Sequence, residues 1–207
     1  MRKMRASKVT VVDYRTSNLL SITKALQAVD GEVTLTQRAA DIEKAERLVL
    51  PGVGAFGAAM RNIDSLEIRE ALIAFGRSGR PLMGICLGMQ LLFSVSYEQG
   101  TYYGLALLPG EVVAFHESPT LKVPHMGWNQ IEFRKNSQLF DGLADKQYAY
   151  FVHSYYVKPG DDCTAGATDY GVMFPAVVEE KNIFGIQFHP EKSQSFGLKI
   201  LENFLKV

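Results

Sequence analysis

The pentapeptide Gly84-Ile85-Cys86-Leu87-Gly88 lies between an apolar run, Leu82-Met83, and a helix-like segment at residues 89–93. This order predicts a strand, a sharp turn and a helix, with a thiol at the turn. Serine hydrolases place their nucleophile on a strand-to-helix turn with the same Gly-x-nucleophile-x-Gly spacing. A side chain two residues from such a tight apex would clash, and a helix start favours the thiolate. The stretch indicates covalent catalysis by Cys86, and a buried cysteine in a glycine-rich turn is the alternative.

Composition narrows the class of protein. The 207 residues are 47% hydrophobic and 21% charged, with 22 basic and 22 acidic side chains and zero formal net charge. That balance gives no electrostatic attraction to nucleic acid or to an anionic membrane. Two cysteines, Cys86 and Cys163, do not make a disulfide framework, so we expect a reducing, cytoplasmic location. No apolar run is long enough to cross a membrane, and the basic N-terminal stretch lacks the apolar core of a secretory signal.

The first half of the chain alternates apolar strands with amphipathic helices. The strand candidates are residues 9–12, 33–36, 48–50 and the run before Cys86, and the helix candidates are residues 19–29, 39–45, 56–63 and 68–75. Ser17 is placed to cap the first helix. The alternation predicts βαβ units and a parallel sheet, whose reactive groups lie at the carboxyl ends of the strands.

The second half is strand-rich. Residues 102–184 are rich in Val, Tyr, Phe and Thr, and strand candidates lie at residues 111–115, 128–133, 148–157 and 172–178. A last strand at residues 183–188 and a helix at residues 196–205 follow. We predict an α/β fold with a mostly parallel central sheet flanked by helices and a strand-rich antiparallel insertion. We expect one domain over residues 9–207, preceded by a short extension at residues 1–8.

A thiol nucleophile needs a base, and the base needs an orienting group. His189 directly follows the last predicted strand, and His189-Pro190-Glu191 holds a carboxylate two residues away. The proline stiffens the turn, so Glu191 can hold the tautomer of His189. A solvated surface loop is the alternative interpretation of this tripeptide.

Acyl transfer also needs amide donors for the oxyanion. The geometry of the turn makes the amide of Leu87 one of them. The glycine-rich turn Pro51-Gly52-Val53-Gly54, at a neighbouring strand end, can supply the amide of Val53; an ordinary strand-to-helix turn is the alternative. Because the cysteines and histidines lack metal-ligand spacing, we predict neither a metal nor a cofactor.

Together these segments resemble the class I, or triad, glutamine amidotransferases. Residues 83–90 are similar to that family's nucleophile motif, and residues 188–193 to its base motif. Residues 122–129, Lys-Val-Pro-His-Met-Gly-Trp-Asn, resemble a signature of the glutaminase subunits of imidazole glycerol phosphate synthase, as do residues 50–56 and 150–156. The resemblance runs from about Val9 to the last residue and implies a flavodoxin-like α/β fold.

The resemblance implies that glutamine is hydrolysed through a thioester at Cys86. His189 would carry the proton to the leaving ammonia, and Glu191 would orient His189. By motif position, five residues would hold the amino-acid end of glutamine: Gly52, Gln90, Glu98, Ser154 and Tyr155. A carboxylate such as Glu98 suits the substrate ammonium, and a solvated charge is the alternative.

The resemblance also implies a partner. In the family, the ammonia passes to a (β/α)8-barrel cyclase subunit of histidine biosynthesis within a heterodimer. By motif position, five residues would lie at this interface: His125, Met126, Trp128, Tyr150 and Lys192. An apolar and aromatic patch with few charges is expected of an interface core, and plain core packing is the alternative.

One turn departs from the family pattern. Residues 13–18 are Asp-Tyr-Arg-Thr-Ser-Asn, where the family usually has Asp-Tyr-Gly-x-Gly-Asn. The turn lies near the partner in the family, so Arg15 and Ser17 leave a second function open: a paralogous glutaminase subunit that supplies ammonia to an enzyme amidating surface sugars. Another thiol enzyme on the same scaffold, or a catalytically idle interaction subunit, are the remaining alternatives.

Overall fold

The computed structural model describes residues 6–15, 18–116 and 121–207. Residues 1–5 of the expected N-terminal extension and the predicted helix cap Ser17 lie outside these ranges. The strands are β1 Ser7–Val12, β2 Gly31–Thr36, β3 Leu48–Gly52, β4 Leu82–Cys86, β5 Phe93–Ser96, β6 Tyr102–Tyr103, β7 Leu108–Ala114, β8 His125–Phe133, β9 Gln147–His153, β10 Tyr155–Pro159, β11 Thr164–Asp169, β12 Met173–Glu180 and β13 Ile183–Ile186. The α-helices are α1 Leu19–Gln27, α2 Ala39–Lys44, α3 Phe56–Ser65, α4 Arg69–Arg77, α5 Leu87–Leu91 and α6 Gln194–Phe204. Short 3-10 helices cover Gln138–Phe140 and Pro190–Lys192.

A nine-stranded sheet forms the centre of the described residues. Its strand order is β2-β1-β3-β4-β13-β12-β11-β8-β9. The five strands from β2 to β13 pair in parallel, and the rest of the sheet is antiparallel. A second sheet within the same ranges has the order β10-β7-β5-β6. The predicted α/β fold with a mostly parallel sheet and added antiparallel strands is therefore confirmed.

Helices cover both faces of the parallel strands. Successive residues of a strand point to opposite faces, and Val49 and Leu50 of β3 accordingly belong to two different apolar clusters. The first cluster takes side chains from α1 and α6, and the second takes them from α2, α3, α4 and α5. Strands buried on both faces explain the continuous apolar runs in the sequence.

The pairing of β4 with β13 brings two distant chain segments together. These strands are parallel neighbours, with Ile85 opposite Ile186, although the strand-rich segment lies between them in the chain. The carboxyl ends of β3, β4 and β13 therefore meet at one edge of the sheet. The three segments singled out from the sequence, at Gly52, Cys86 and His189, follow these three ends.

The predicted strand at residues 148–157 is two strands. β9 ends at His153 in the large sheet, and β10 begins at Tyr155 in the small sheet. Ser154 is the point where the chain changes sheets, and Nδ1 of His153 lies 2.8 Å from the carbonyl oxygen of Tyr155 across this break. The break places residues 153–155 at the edge of the cavity described next.

Candidate active site

Cys86 lies on a strained turn between β4 and α5. Its backbone has φ 54° and ψ −111°, in the left-handed half of the map that a residue with a side chain rarely adopts. Such strain costs on the order of 1–3 kcal/mol and persists only where the surroundings enforce it. Cys86 is 6% exposed and lines a cavity of about 500 Å³. The sharp strand-to-helix turn predicted from the sequence is therefore present.

The two flanking glycines permit this turn. A Cβ atom at Gly88 would lie 1.7 Å from the carbonyl oxygen of Leu50, and one at Gly84 would lie 2.6 Å from the carbonyl oxygen of Gly88. Both contacts are with backbone, which cannot rotate away as a flexible side chain would. The glycines thus let α5 approach β3 and β4 closely enough to hold Cys86 at the apex.

A Gly88→Ala variant should be destabilised by on the order of 3 kcal/mol, because the new methyl group displaces the backbone of β3. Gly79→Ala is the matched control: Gly79 has φ +82° but open space around it. Its cost should be limited to left-handed strain, about 1–2 kcal/mol. Urea unfolding measures both, and equal losses would contradict the close-approach explanation.

His189 and Glu191 form a buried pair beside the thiol. His189 precedes the 3-10 helix Pro190–Lys192, and its Nδ1 lies 3.0 Å from Oε1 of Glu191. The two side chains are only 4% and 5% exposed. Asn18, at the start of α1, donates from Nδ2 to the same Oε1 at 2.8 Å. The carboxylate is thus fixed from two sides, and it orients the imidazole.

The electrostatics of the pair favour an imidazolium. Burial lowers the pKa of His189, but its interactions with Cys86 and with Glu191 outweigh burial and raise the pKa to about 10. Burial likewise works to raise the pKa of Glu191, and the bond from His189 brings it below its usual range. Nε2 of His189 is buried and has no partner of hydrogen-bond geometry among the described residues, although the Cys86 sulfur is near enough to affect the ring. Catalytic hydrogen bonds often tighten only once substrate is bound.

The backbone of His189 is tied to Tyr150 of β9. The amide of His189 donates to the carbonyl of Tyr150 at 2.9 Å. The amide of Tyr150 donates to Oγ of Ser193 at 3.0 Å, and that hydroxyl donates to the carbonyl of His189 at 2.7 Å. The closed set of bonds holds the imidazole relative to the outer strand β9.

The turn after β3 lies against the thiol. Gly52 is in register with Cys86 across the β3–β4 pair, and a Cβ atom at Gly52 would lie 1.9 Å from the hydroxyl of Tyr14. Val53 and Leu87 line the same cavity as Cys86. The structure therefore brings both predicted amide donors to the edge of the sheet where the thiol lies.

The predicted glutamine-binding residues lie around the cavity. Gln90, Glu98, Ser154 and Tyr155 line it, whereas Gly52 lines a small neighbouring space beside His189. Glu98 has a second contact that the sequence did not suggest. Its Oε2 accepts from the amide of Phe56 at 2.7 Å, which caps the start of α3. One carboxylate therefore borders the cavity and also fixes the far end of the turn at residues 52–55.

The sequence analysis did not assign a role to three polar residues that the structure places at the site. Gln187 is fully buried, and its Nε2 lies 3.6 Å from the sulfur of Cys86. Asn18 holds Glu191, and His153 lines the cavity. The available signal for Gln187 was a lone amide inside an otherwise apolar strand, because such a group must find a partner when buried.

Four of the five predicted interface residues form an outer patch. Met126 and Trp128 are 62% and 48% exposed, and Lys192 is exposed. The rings of Trp128 and Tyr150 lie 6.1 Å apart, and Nζ of Lys192 lies 5.5 Å from the centre of the Tyr150 ring. His125 differs: it is 2% exposed, so its side chain lies in the interior and not at the surface where the sequence analysis placed it. Residues of a strand alternate between faces, which separates His125 from Met126.

The turn at residues 13–18, which departs from the family pattern, is described only in part. Arg15 has φ 62°, where the family usually has glycine, and its amide donates to Oδ1 of Asp13 at 2.9 Å. Residues 16–17 lie outside the described ranges. In residues 6–15, 18–116 and 121–207, no cluster of three His, Cys, Asp or Glu side chains could hold a metal ion. The same ranges contain no helix long and apolar enough to cross a membrane.

Comparison with known proteins identifies the family of this chain. Residues 10–207 match the family described as glutamine amidotransferase class-I. The subunit HisH of imidazole glycerol phosphate synthase from Natronomonas pharaonis is 49% identical, over 97% of this chain and 95% of that protein. The subunit of the same name from Aquifex aeolicus is 46% identical, over 95% of both.

Solved structures share the fold at low sequence identity. The structure of PurLQS from Thermotoga maritima has a TM-score of 0.74 at 21% identity, covering 97% of this chain and 98% of that one. The glutaminase domain of Trypanosoma brucei CTPS, solved with bound acivicin, has a TM-score of 0.66 at 15% identity, covering 96% and 94%. At this identity the likeness concerns the fold alone.

Proposed function

The chain belongs to the class-I glutamine amidotransferase family and, within it, to the HisH subunits of imidazole glycerol phosphate synthase, and we propose from this that it hydrolyses glutamine and passes the ammonia to a cyclase subunit of histidine biosynthesis. One observation carries the proposal: a thiol on a strained turn lines the same cavity as a buried imidazole that is bonded to a carboxylate. The proposal treats residues 9–207 as one amidotransferase domain. A cytoplasmic location is proposed on the two free cysteines, Cys86 and Cys163.

The first half of the reaction forms a thioester. The sulfur of Cys86 attacks the side-chain carbonyl carbon of glutamine, and the carbonyl oxygen becomes an oxyanion. The amides of Val53 and Leu87 stabilise that charge. Nε2 of His189 gives its proton to the nitrogen, the C–N bond breaks, and ammonia leaves.

The second half releases glutamate. Water attacks the thioester carbon while Nε2 of His189 takes its proton, and the C–S bond breaks to return the thiolate. Throughout, Glu191 holds Nδ1 and stabilises the imidazolium. The raised pKa of His189 favours the protonated ring before attack. The imidazolium can therefore give its proton to the leaving nitrogen in the first half of the reaction.

The cavity suits glutamine as substrate. Its volume of about 500 Å³ falls within the usual range for small-molecule sites, roughly 300–1,000 Å³. The carboxylate of Glu98 would pair with the substrate ammonium, and Gln90, Ser154 and Tyr155 would contact the amino-acid end. Gly52 would contribute its backbone.

Glutamate release, assayed alone and with a (β/α)8-barrel cyclase plus its nucleotide ligand, tests the proposal. We expect low turnover alone and strong stimulation by the loaded cyclase. Full turnover without a partner would instead indicate an independent thiol hydrolase. No turnover under any condition would indicate an idle subunit. Stimulation only by a sugar-amidating enzyme would support the paralogous function that Arg15 left open.

We propose that the patch of Met126, Trp128, Tyr150 and Lys192 contacts the cyclase. Aromatic side chains such as the exposed Trp128 and the partly exposed Tyr150 are enriched among interface anchors, and the cation of Lys192 lies over the Tyr150 ring. Because the backbone of Tyr150 is bonded to His189, this docking site lies one residue from the proposed base.

A Trp128→Ala variant should weaken binding to the cyclase by about 30-fold, the effect of losing about 2 kcal/mol at an anchor. Isothermal titration calorimetry measures the dissociation constant. Tyr103→Ala is the matched control, because Tyr103 is an exposed aromatic residue, 73% accessible, in the second sheet. Equal effects of the two substitutions would contradict the assigned interface.

A further inference from the structure

A buried chain of hydrogen bonds, which the proposed mechanism does not use, connects β8 to the cavity. His125 of β8 lies opposite His153 of β9, and Nδ1 of His125 is 3.0 Å from Nε2 of His153. Nδ1 of His153 is 2.8 Å from the carbonyl oxygen of Tyr155. At the other end, Nδ2 of Asn129 lies 3.3 Å from Nε2 of His125.

Each proton in this series of hydrogen bonds can be assigned to one atom. A carbonyl only accepts, so Nδ1 of His153 must donate and Nε2 of a neutral His153 must accept. Nδ1 of His125 therefore donates, and Nε2 of His125 accepts from Asn129. The amide of Asn129 is itself oriented, because its Nδ2 also donates to the carbonyl of Asp169 and its Oδ1 accepts from the amide of Gln130.

The two rings stay uncharged at neutral pH. Burial lowers the pKa of His125 to about 4. Burial also lowers the pKa of His153, to about 3; the charge of His189, and that of His125 when acid protonates it, lowers this pKa further, and the bond to Tyr155 opposes the shift. A proton added to either ring would place two N–H groups face to face.

Packing prevents the rings from turning. The ring of His125 lies between Phe151 and Tyr170, stacked at centroid distances of 4.8 and 3.9 Å. Phe115 and Phe174 contact both imidazoles at 5.1 to 6.3 Å. The stacked rings of Phe151 and Tyr170 hold the plane of His125, and the hydrogen bonds at its two nitrogens hold its direction within that plane.

The carbonyl of Tyr155 is the junction with the site. It also accepts from Nε2 of Gln90 at 3.0 Å, and that amide group donates to Oε1 of Gln187 at 3.1 Å. Gln187 in turn reaches the sulfur of Cys86. The orientation of Tyr155 thus affects a side chain that borders the cavity beside the thiol.

We propose that the His125–His153 pair positions the cavity wall at Tyr155, and through it Gln90, so that the pair sets the affinity for glutamine. This inference rests on the proposed glutaminase function. His125 does not line the cavity and acts only through His153, so it is a positioning residue. Its loss should therefore change substrate binding more than chemistry.

The test is steady-state glutamine hydrolysis by the complex with the cyclase. His125→Phe keeps the stacked ring but removes the donor to His153. We expect KM for glutamine to rise about three- to tenfold, the effect of one buried hydrogen bond, with kcat within about twofold of the parent value. His125→Asn places an amide nitrogen where Nδ1 was, so it should restore most of the affinity.

Phe174→Leu is the matched control for packing. Phe174 touches both rings but carries no hydrogen-bonding group, so its truncation should lower the melting temperature and leave KM unchanged. If His125→Phe does not fold, His125→Asn and His125→Gln can be compared instead, since the first keeps a donor to His153 and the second does not. In His125→Gln the side-chain amide lies at the position of Nε2, so it cannot reach His153 as Nδ1 does.

Three results would each overturn the inference, and two of them concern position 125: an unchanged KM in folded His125→Phe, or equal KM values for the His125→Asn and His125→Gln variants. An equal rise of KM in Phe174→Leu would do the same, because packing alone would then explain it. Failure of the glutaminase function is a separate outcome. It would appear in the unsubstituted complex, as absence of glutamate release before any variant is made.

Discussion

A Cys86→Ala variant should lose all measurable glutamate formation, a fall on the order of 10⁶-fold as seen when a covalent nucleophile is removed. The reason is that the thioester has no other sulfur to form on. Cys163 is buried elsewhere, and burial raises the pKa of its thiol to about 11, which keeps it protonated and unreactive. Glutamate is measured by a coupled dehydrogenase, with and without the cyclase.

Cys163→Ala is the control for this experiment. It removes the other thiol without touching the cavity, so activity should stay near the parent value. A glutamine-like chloroketone should add once per chain in the parent protein and not at all in Cys86→Ala. Glutamate formation that survives in the Cys86→Ala protein would remove the covalent mechanism altogether.

A His189→Ala variant should lose about 10²–10⁴-fold in kcat, the usual contribution of general acid–base catalysis. Without the imidazole, the leaving nitrogen has no positioned proton donor and the thiolate loses its counter-charge. The same steady-state assay measures the loss. His116→Ala is the control, because His116 is exposed on the surface and its loss should change nothing.

A near-normal rate in His189→Ala would mean that another group is the base. The other imidazole lining the cavity is His153, and both of its nitrogens are committed to hydrogen bonds. Its pKa of about 3 also leaves it a weak base at neutral pH. The structure therefore offers no ready substitute among the described histidines.

The fold, and the positions of Cys86, His189 and Glu191 at strand ends, could be predicted from local sequence. Glycine spacing around Cys86 specifies the turn because backbone contacts leave no room for a Cβ atom. An apolar strand that ends in His-Pro-Glu specifies where an imidazole and a carboxylate emerge. Both signals depend on a few consecutive residues, which is why the sequence predicts these positions, whereas the catalytic roles rest on the family resemblance.

The remainder of the site depends on contacts between distant segments. Asn18 and Glu191 are 173 residues apart in the sequence, and Gln187 and Cys86 are 101 apart, so no local pattern reports that they meet. Motif position predicts His125 at the interface together with Met126 and Trp128, but its side chain is buried. Its burial follows from the partner strand β9 and from an aromatic cluster that the sequence does not assemble.

The neighbouring position of β4 and β13 has a consequence for how the protein acquires activity during synthesis. The sulfur emerges from the ribosome well before the imidazole, and the two can approach only after the long intervening strands have folded. Closing so large a loop is slow, since its entropy is lost before the contacts that repay it form. We therefore expect a nascent or half-folded chain to hold the thiol apart from its proposed base, and hydrolytic competence to appear only when β13 pairs with β4.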